Sequence, residues 1–116
     1  MEELKEFKTR LQKRNLQSTK KLCVIQEVVS AVFEVSIEDM TGKSRKREFV
    51  EPRFAAMFLI RREDIFSLKK IGSFFSGRDH SSVHHAIETS GNYAAFDKVY
   101  GDKVNFCTTE VDRILR

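Results

Sequence analysis

The chain has 116 residues, of which 41% are hydrophobic and 33% are charged, and its formal net charge is +4. Its apolar fraction excludes a disordered tail, and no apolar run approaches the ~20 residues of a membrane span. The charged N-terminus has no apolar signal core, so we expect one cytoplasmic domain. Cys23 and Cys107 show no metal-ligand spacing. We expect both to be reduced in the core, although their number alone permits a disulfide.

The positive charge is concentrated in the middle of the sequence. Residues 43–87 hold ten Lys/Arg against five Asp/Glu, whereas residues 1–42 are neutral and residues 88–116 have a net charge of −1. A basic zone on a nearly neutral scaffold is the electrostatic footprint expected of a nucleic-acid face. A solvated surface with a surplus of basic side chains is the alternative.

The N-terminus predicts an amphipathic helix. Leu4, Phe7 and Leu11 recur at helical spacing inside charged sequence, which predicts a helix over residues 2–16. With one proline and five glycines in the whole chain, helices are favoured over a turn-rich β fold. We expect residues 1–17 to form a separate helix or linker.

The polar run NLQST predicts a break after this helix. Ser18 or Thr19 is suited to cap the next helix, which extends to about Phe33. Its β-branched residues leave a strand as an alternative. From there to the end of the chain, residues 18–116, we expect one all-α domain.

A basic loop and a buried helix follow. The loop is TGKSRKR, and the helix is predicted in FVEPRFAAMFLIRRE, with Pro52 in its first turn, where backbone donors are unpaired. The run from Phe54 to Ile60 is apolar on all sides. This helix is therefore predicted to form the centre of the domain.

Two short helices joined by a glycine turn come next, which is the pattern of a helix-turn-helix. Ser67 is suited to cap LKKIGSFF, and Asp79 to cap a helix over residues 80–90, which SGN is predicted to end. In the SGRD turn between them, Gly77 is free to take a positive φ.

Gly72 lies in the first of these two helices, where the second helix must cross it. The missing side chain permits a close approach there, or the glycine is simply tolerated at ~1 kcal/mol relative to alanine. A last helix is predicted from about Phe96 to Leu115. The sequence therefore predicts an all-α helix-turn-helix domain of five to six helices, preceded by the amphipathic N-terminal helix.

The stretch FFSGRDHSSVHHA, residues 74–86, contains all three histidines of the chain. His80, Ser81 and Ser82 would form the exposed first turn of the second helix. In helix-turn-helix proteins this end enters the major groove and contacts base edges. Its free N–H groups and the helix dipole also favour a phosphate.

These residues carry a family resemblance. GRDHSSVHHA is similar to the signature GRDHTTVLHA of the DNA-binding C-terminal domain of DnaA, the bacterial replication initiator. KSRKREFVEPRFAAMFLIRRE and SLKKIGSFFSGRDH resemble the preceding elements of that domain. The similarity continues without a gap from Gly42 to Ala86, extends more weakly back to about Leu22, and covers about two thirds of the chain. It implies a fold like that of the DnaA C-terminal domain and of the Trp repressor.

The resemblance also implies the contacts with DNA. Asp79, His80 and Ser81, with Ser82 beside them, fall where the family contacts bases in the major groove, and Arg45 falls where it inserts an arginine into the minor groove. Basic side chains are expected to contact the phosphates, which position the protein. These are Lys43, Lys46, Arg47, Arg53, Arg61, Lys69 and Arg78.

The chain departs from the family pattern in several respects. Ser81 and Ser82 replace threonines and lack the methyl group that packs on thymine, so we expect relaxed discrimination between bases. His84 replaces a leucine, and Lys69 a residue that is usually proline. The initiator's nucleotide-binding module has no counterpart, so we expect no ATP-driven activity.

Other chemistries fit these residues less well. His80 and His84 have the spacing of zinc ligands, but no further pair with ligand spacing accompanies them. TGKS at residues 41–44 resembles the end of a P-loop, but Ile37 stands where that motif requires glycine. No base and nucleophile converge with an electrophilic site. We therefore expect no enzymatic activity and no metal, nucleotide or other cofactor.

The sequence thus predicts sequence-preferring binding of double-stranded DNA by a cytoplasmic, nucleoid-associated protein linked to replication initiation or its regulation. Two alternatives remain open. One is a protein-interaction module that keeps the fold without specific DNA binding, with the N-terminal helix docking a replication or regulatory protein or a second copy. The other is a nonspecific or structured-RNA binder.

Overall fold

The chain folds into six α-helices over residues 2–116, the part that the computed structural model describes; the side chain of Phe7 lies outside that part, as does Met1. The helices are α1 (Glu2–Phe33), α2 (Ile37–Thr41), α3 (Arg47–Arg62), α4 (Leu68–Ser73), α5 (His80–Phe96) and α6 (Lys98–Leu115). The predicted all-α fold class is confirmed.

Helix α3 is the centre of the domain, as its apolar sequence predicted. It packs against each of the other five helices. Ala55, Ala56 and Leu59 are fully buried, and Met57 and Ile60 are 1% exposed. Helices α1 and α6 pack on one side of α3, and α4 and α5 pack on another. The two helices of the helix-turn-helix, α4 and α5, are therefore held directly by the central helix.

Helix α1 corrects the predicted break. It continues through NLQST as one helix of 32 residues, because that run contains neither proline nor glycine and its polar residues each cost only a few tenths of a kcal/mol. Up to Gln17 its described side chains are exposed, including Leu4 at 53% and Leu11 at 40%. The division of the chain between residues 17 and 18 stays a prediction.

The first residues of α3 also differ from the prediction. The helix begins at Arg47, so Pro52 is its sixth residue and lies beyond the first turn. Proline at that position removes one i→i−4 hydrogen bond. Burial of the Pro52 ring in the core accompanies this loss.

Helix α5 extends past its predicted end. Gly91 lies inside the helix, which continues to Phe96, where Asp97 caps the start of α6 by accepting a hydrogen bond from the backbone N–H of Tyr100 at 2.9 Å. A glycine in a helix costs about 1 kcal/mol. Packing of Tyr93 and Ala94 against the core offsets that cost.

The two cysteines occupy different environments. Both thiols are free; Cys107 is fully buried, but Cys23 is exposed, which corrects its predicted place in the core. Burial raises the pKa of the Cys107 thiol to about 12.

Candidate nucleic-acid interface

Gly72 is the point at which α4 and the start of α5 meet. A Cβ on Gly72 would lie 1.9 Å from the carbonyl oxygen of Arg78. The Gly72 carbonyl accepts hydrogen bonds from the backbone N–H groups of Phe75 and Arg78, each at 3.0 Å. The predicted close approach at Gly72 is therefore confirmed, and any side chain there would force the turn apart.

The turn itself depends on two consecutive residues in the left-handed region. Ser76 has φ 65° and Gly77 has φ 73°. The prediction for Gly77 is confirmed, whereas no sequence signal marked Ser76, because serine rarely adopts this conformation. Together they reverse the chain within a few residues and direct it into α5.

Asp79 caps α5 as predicted. Its Oδ1 accepts a hydrogen bond from the backbone N–H of Ser82 at 2.7 Å. This bond is the main reason that the pKa of the Asp79 carboxyl lies below its usual value. The charged cap fixes the first turn of α5, in which His80, Ser81 and Ser82 are all exposed.

Two grooves flank this exposed turn, each with a volume of about 400 Å³. The groove between α4 and α5 is lined by Lys69, Ser73, Gly77, Arg78, Asp79 and His80. The groove between α3 and α5 is lined by Phe54, Met57, Arg78, Asp79, Ser81, Ser82, His85 and Ala86. The four residues predicted to contact bases in the major groove, Asp79, His80, Ser81 and Ser82, therefore lie between the two grooves, and the exposed Lys69 shares one groove with Asp79 and His80.

The loop between α2 and α3 presents free basic side chains. Lys43, Arg45 and Lys46 are exposed. Among residues 2–116, no carboxylate lies within ion-pair distance of these three side chains. Their charge is not neutralised within the described part of the protein.

Arg53 is a buried side chain that supports this loop. The prediction that Arg53 contacts a phosphate needs correction. The residue is 2% exposed. Its guanidinium donates hydrogen bonds to the carbonyls of Met40 and Ser44, each at 2.8 Å, and of Asp39 at 3.3 Å. Burial, with a smaller effect from Arg78, lowers the pKa of Arg53. A side chain enclosed in this way is not available to a DNA phosphate in this conformation.

The turn of the helix-turn-helix is bonded directly to the same loop. The Nη2 of Arg78 donates to the Gly42 carbonyl at 3.0 Å, and the Oγ of Ser76 donates to the Thr41 carbonyl at 2.7 Å. Arg78 immediately precedes the cap of α5, and Gly42 immediately precedes Lys43 of the basic loop. These bonds fix the turn before α5 to the start of the basic loop.

Two other predicted phosphate contacts already have carboxylate partners. The Nε of Arg47 donates to Glu51 at 2.8 Å, and the same guanidinium donates to the Tyr93 hydroxyl. Arg61 lies 3.5 Å from Asp64. Both arginines are exposed. Their contact with DNA stays a prediction and would require exchange of these partners.

The histidines form separate local contacts. The Nε2 of His84 lies 3.3 Å from Glu88, and the Nε2 of His85 lies 3.4 Å from the Thr89 hydroxyl. Within residues 2–116, no three His, Cys, Asp or Glu side chains come together as a metal-binding set. The same residues include no helix with the length and apolar character needed to cross a membrane.

A short helix, a tight turn and a capped, exposed second helix define a DNA-binding helix-turn-helix domain. The family described as "Bacterial dnaA protein helix-turn-helix" matches residues 23–89, which is more than half of the chain. The chain therefore belongs to the bacterial DnaA helix-turn-helix family. This membership implies DNA binding and a relation to replication initiation.

Two curated relatives are chromosomal replication initiator proteins DnaA. The protein of Lactobacillus delbrueckii subsp. bulgaricus is 47% identical over 75 residues, which are 65% of this chain and 16% of that protein. The protein of Oenococcus oeni is 38% identical over 87 residues, which are 75% of this chain and 19% of that protein. The chain thus matches less than a fifth of the length of each of these relatives.

Proposed function

We propose that this protein binds double-stranded DNA with sequence preference, placing the start of α5 in the major groove and the basic loop in the adjacent minor groove. The observation that carries this proposal is the hydrogen bond from Arg78 to the Gly42 carbonyl. It fixes the loop to the turn that leads into α5. Reading two neighbouring grooves requires such a fixed spacing.

The exposed first turn of α5 supplies the groups for major-groove contacts. The imidazole of His80 and the hydroxyls of Ser81 and Ser82 can each donate or accept a hydrogen bond. A carboxylate such as that of Asp79 accepts from the amino group of cytosine. A serine hydroxyl can form hydrogen bonds with the edges of several bases. Serine also lacks the methyl group with which threonine contacts thymine, so discrimination between bases at these positions should be weaker.

The loop supplies the minor-groove contact. Arg45 is exposed among residues whose backbone carbonyls are bonded to Arg53, Ser76 and Arg78. An arginine on a loop held in this way loses little further entropy on entering a narrow, A·T-rich minor groove, where the potential is most negative. Phosphate contacts come from Lys43, Lys46 and Lys69, and from Arg47 and Arg61 after exchange of their carboxylate partners. Arg78 stays bonded to the Gly42 carbonyl and holds the loop in place.

The biological setting of this activity is replication initiation or its regulation, in the cytoplasm and at the nucleoid. The family membership supports this setting. The activity assigned here is binding alone, since every proposed contact is made by a fixed surface and none needs a reacting group.

Dependence on salt tests the proposal. Each phosphate contact changes the slope of log K against log salt by about −0.9, because counterions are released. Replacing Lys43 and Lys46 together with glutamine should reduce the slope by about 1.8. Fluorescence anisotropy with a duplex selected from a random pool measures this slope.

The matched control replaces Lys98 and Lys103 of α6 with glutamine, which removes the same charge from exposed positions. The control should bind as the unmodified protein does. A flat salt response of the unmodified protein, or equal losses in the two double variants, would contradict the proposed loop contact.

A protein-interaction module is the second candidate, and the exposed Leu4 and Leu11 of α1 favour it. In this reading the N-terminal helix docks a replication or regulatory protein. Absence of any duplex shift at low salt, together with a stable complex that Leu4→Ser and Leu11→Ser abolish, would select it over DNA binding. Competition between RNA and duplex DNA in the same titration identifies a nonspecific or RNA-binding protein.

A further inference from the structure

The exposed part of α1 carries a concentrated positive charge that the neutral balance of residues 1–42 conceals. Residues 8–21 contain six Lys/Arg and no Asp/Glu, while residues 22–42 contain four Asp/Glu and no Lys/Arg. These four acidic residues, from Glu27 to Asp39, follow the basic run, and the other three of the segment, Glu2, Glu3 and Glu6, precede it in the first turns of α1. The basic residues lie on the part of α1 that begins to pack only near its end.

Three of these basic residues form a row. Arg10, Arg14 and Lys21 are separated by four and seven residues, which places them along one side of a helix with 3.6 residues per turn. Arg10 and Arg14 are exposed. Among residues 2–116, neither forms an ion pair with a carboxylate.

The row lies on the side of α1 that faces α3. The Nζ of Lys21 is 3.9 Å from the carboxylate of Glu63, the residue that ends α3. On the other flank of α1, the ring of Phe33 packs against Tyr100 of α6, with centroids 5.9 Å apart. Since Lys21 is beside the end of α3, the preceding residues of α1 project beyond that end.

The same end of α3 leads into the helix-turn-helix. Arg61 lies in its last turn, and the chain then passes through residues 63–67 to Lys69 on α4. Both side chains are exposed and were predicted from the sequence to approach phosphates. The row on α1 thus meets α3 at Glu63, two residues after Arg61 and six before Lys69 in the sequence.

We propose that Arg10 and Arg14 bind phosphates of duplex DNA flanking the site that α5 reads, so that α1 lengthens the footprint of the protein, while Lys21 of the same row pairs with Glu63. This inference rests on the proposed DNA binding. The ligand is the phosphodiester backbone, so the contact carries no base sequence. The exposed Leu4 and Leu11 lie about a quarter turn from the row.

The test uses two duplexes with the same central site, one limited to that site and one extended by a helical turn or more on each side. The unmodified protein should bind the extended duplex on the order of tenfold more tightly, because about two additional phosphates are neutralised. The double variant Arg10→Gln, Arg14→Gln should lose that gain and bind the short duplex normally. Its salt slope on the extended duplex should fall by about 1.8.

Lys13 and Lys20 provide the matched control. They are seven residues apart and lie about a quarter turn from the row, on the side opposite Leu4 and Leu11. The double variant Lys13→Gln, Lys20→Gln removes the same charge and should keep the gain from the flanks. Equal losses in the two double variants would overturn the proposal, because only the net charge of α1 would then matter.

Two further outcomes separate this inference from the proposed function. If the unmodified protein binds the short duplex with no gain from the flanks, the role of α1 is wrong while DNA binding stands. If it binds neither duplex, the proposed function itself fails. Loss of binding to anionic phospholipid vesicles in the Arg10, Arg14 variant, with extended-duplex binding intact, would assign the row to a membrane surface instead.

Discussion

The two ends of α3 use arginine and lysine in opposite ways. At its first turn, the basic loop keeps Lys43, Arg45 and Lys46 exposed, and hydrogen bonds to backbone carbonyls hold the loop in place. At its last turn, the side chain of Glu63 is 1% exposed, and both of its carboxylate oxygens accept hydrogen bonds from the Nη2 of Arg116. The ion-pair partners of Glu63 are Lys21, Arg62 and Arg116.

The difference lies in the acceptor. A carboxylate neutralises the cation that it binds, whereas a carbonyl accepts a hydrogen bond and leaves the net positive charge in place. Arg62 and Arg116 also bind Asp112, so their charges are neutralised by the ion pairs that connect α6 to the end of α3. Arg53 and Arg78 fasten the loop through carbonyls and add to the positive potential around Arg45. A count of basic residues therefore overstates the charge available to DNA most at the last turn of α3, although Arg47 in its first turn is also paired, with Glu51.

The largest effect should come from breaking the close approach of α4 to the turn that precedes α5. In Gly72→Ala the new Cβ would lie 1.9 Å from a backbone oxygen, so α4 and α5 must separate. We expect destabilisation of about 3 kcal/mol or more, at or above the upper limit for ordinary overpacking, together with loss of DNA binding. Urea denaturation and anisotropy measure the two effects.

Gly91→Ala is the matched control, since the new methyl group would meet only Phe58, at 3.9 Å. Here alanine in place of a helical glycine should stabilise the fold by about 0.5–1 kcal/mol and leave DNA binding unchanged. Equal stability of the two alanine variants would show that α4 and α5 do not cross at Gly72.

An intermediate effect should come from the neutralised end of α3. Glu63→Gln leaves the cations around it without their buried carboxylate, and we expect a loss of about 2 kcal/mol in the free energy of unfolding. This is less than for a fully enclosed pair, because Lys21 and Arg116 are partly in solvent. Affinity for a short duplex should stay the same or rise slightly.

Glu110→Gln removes an exposed carboxylate from a pair with Arg113 and serves as the control, with little change in stability expected. If Glu63→Gln reduced DNA affinity as strongly as a loop variant does, the division of α3 into a neutralised end and an available end would be wrong.

Most of the architecture could be predicted from local sequence signals. The apolar run of α3, the cap at Asp79 and the glycine of the turn each depend on residues within one helical turn. The helix ends that were predicted wrongly depend on weak local preferences. Asn15 to Thr19 only lower helix propensity, and Gly91 is held by distant packing, so tertiary contacts decided both.

The site could be predicted in outline but not in its internal support. Residue type and the family resemblance indicated the exposed turn of α5 and the basic loop. They did not separate Arg53 from Arg45, because both are arginines in one basic segment. The difference is that folding places backbone carbonyls, such as that of Asp39, around the guanidinium of Arg53. The Ser76 hydroxyl donates to a neighbouring carbonyl, that of Thr41, from a left-handed backbone conformation that the sequence did not predict.

The smallest effect should come from Arg45→Ala, which tests the available end directly. The side chain is exposed and has no structural partner among residues 2–116, so stability should change by less than about 0.5 kcal/mol. Affinity for a site with A·T-rich flanks should fall by about 1–2 kcal/mol, and less for G·C-rich flanks, whose minor groove is wider and less negative. Lys98→Ala, another exposed cation, controls for net charge. Binding of every duplex at the original strength by Arg45→Ala would place the loop outside the minor groove, since no other interaction of Arg45 in the described structure would mask the loss.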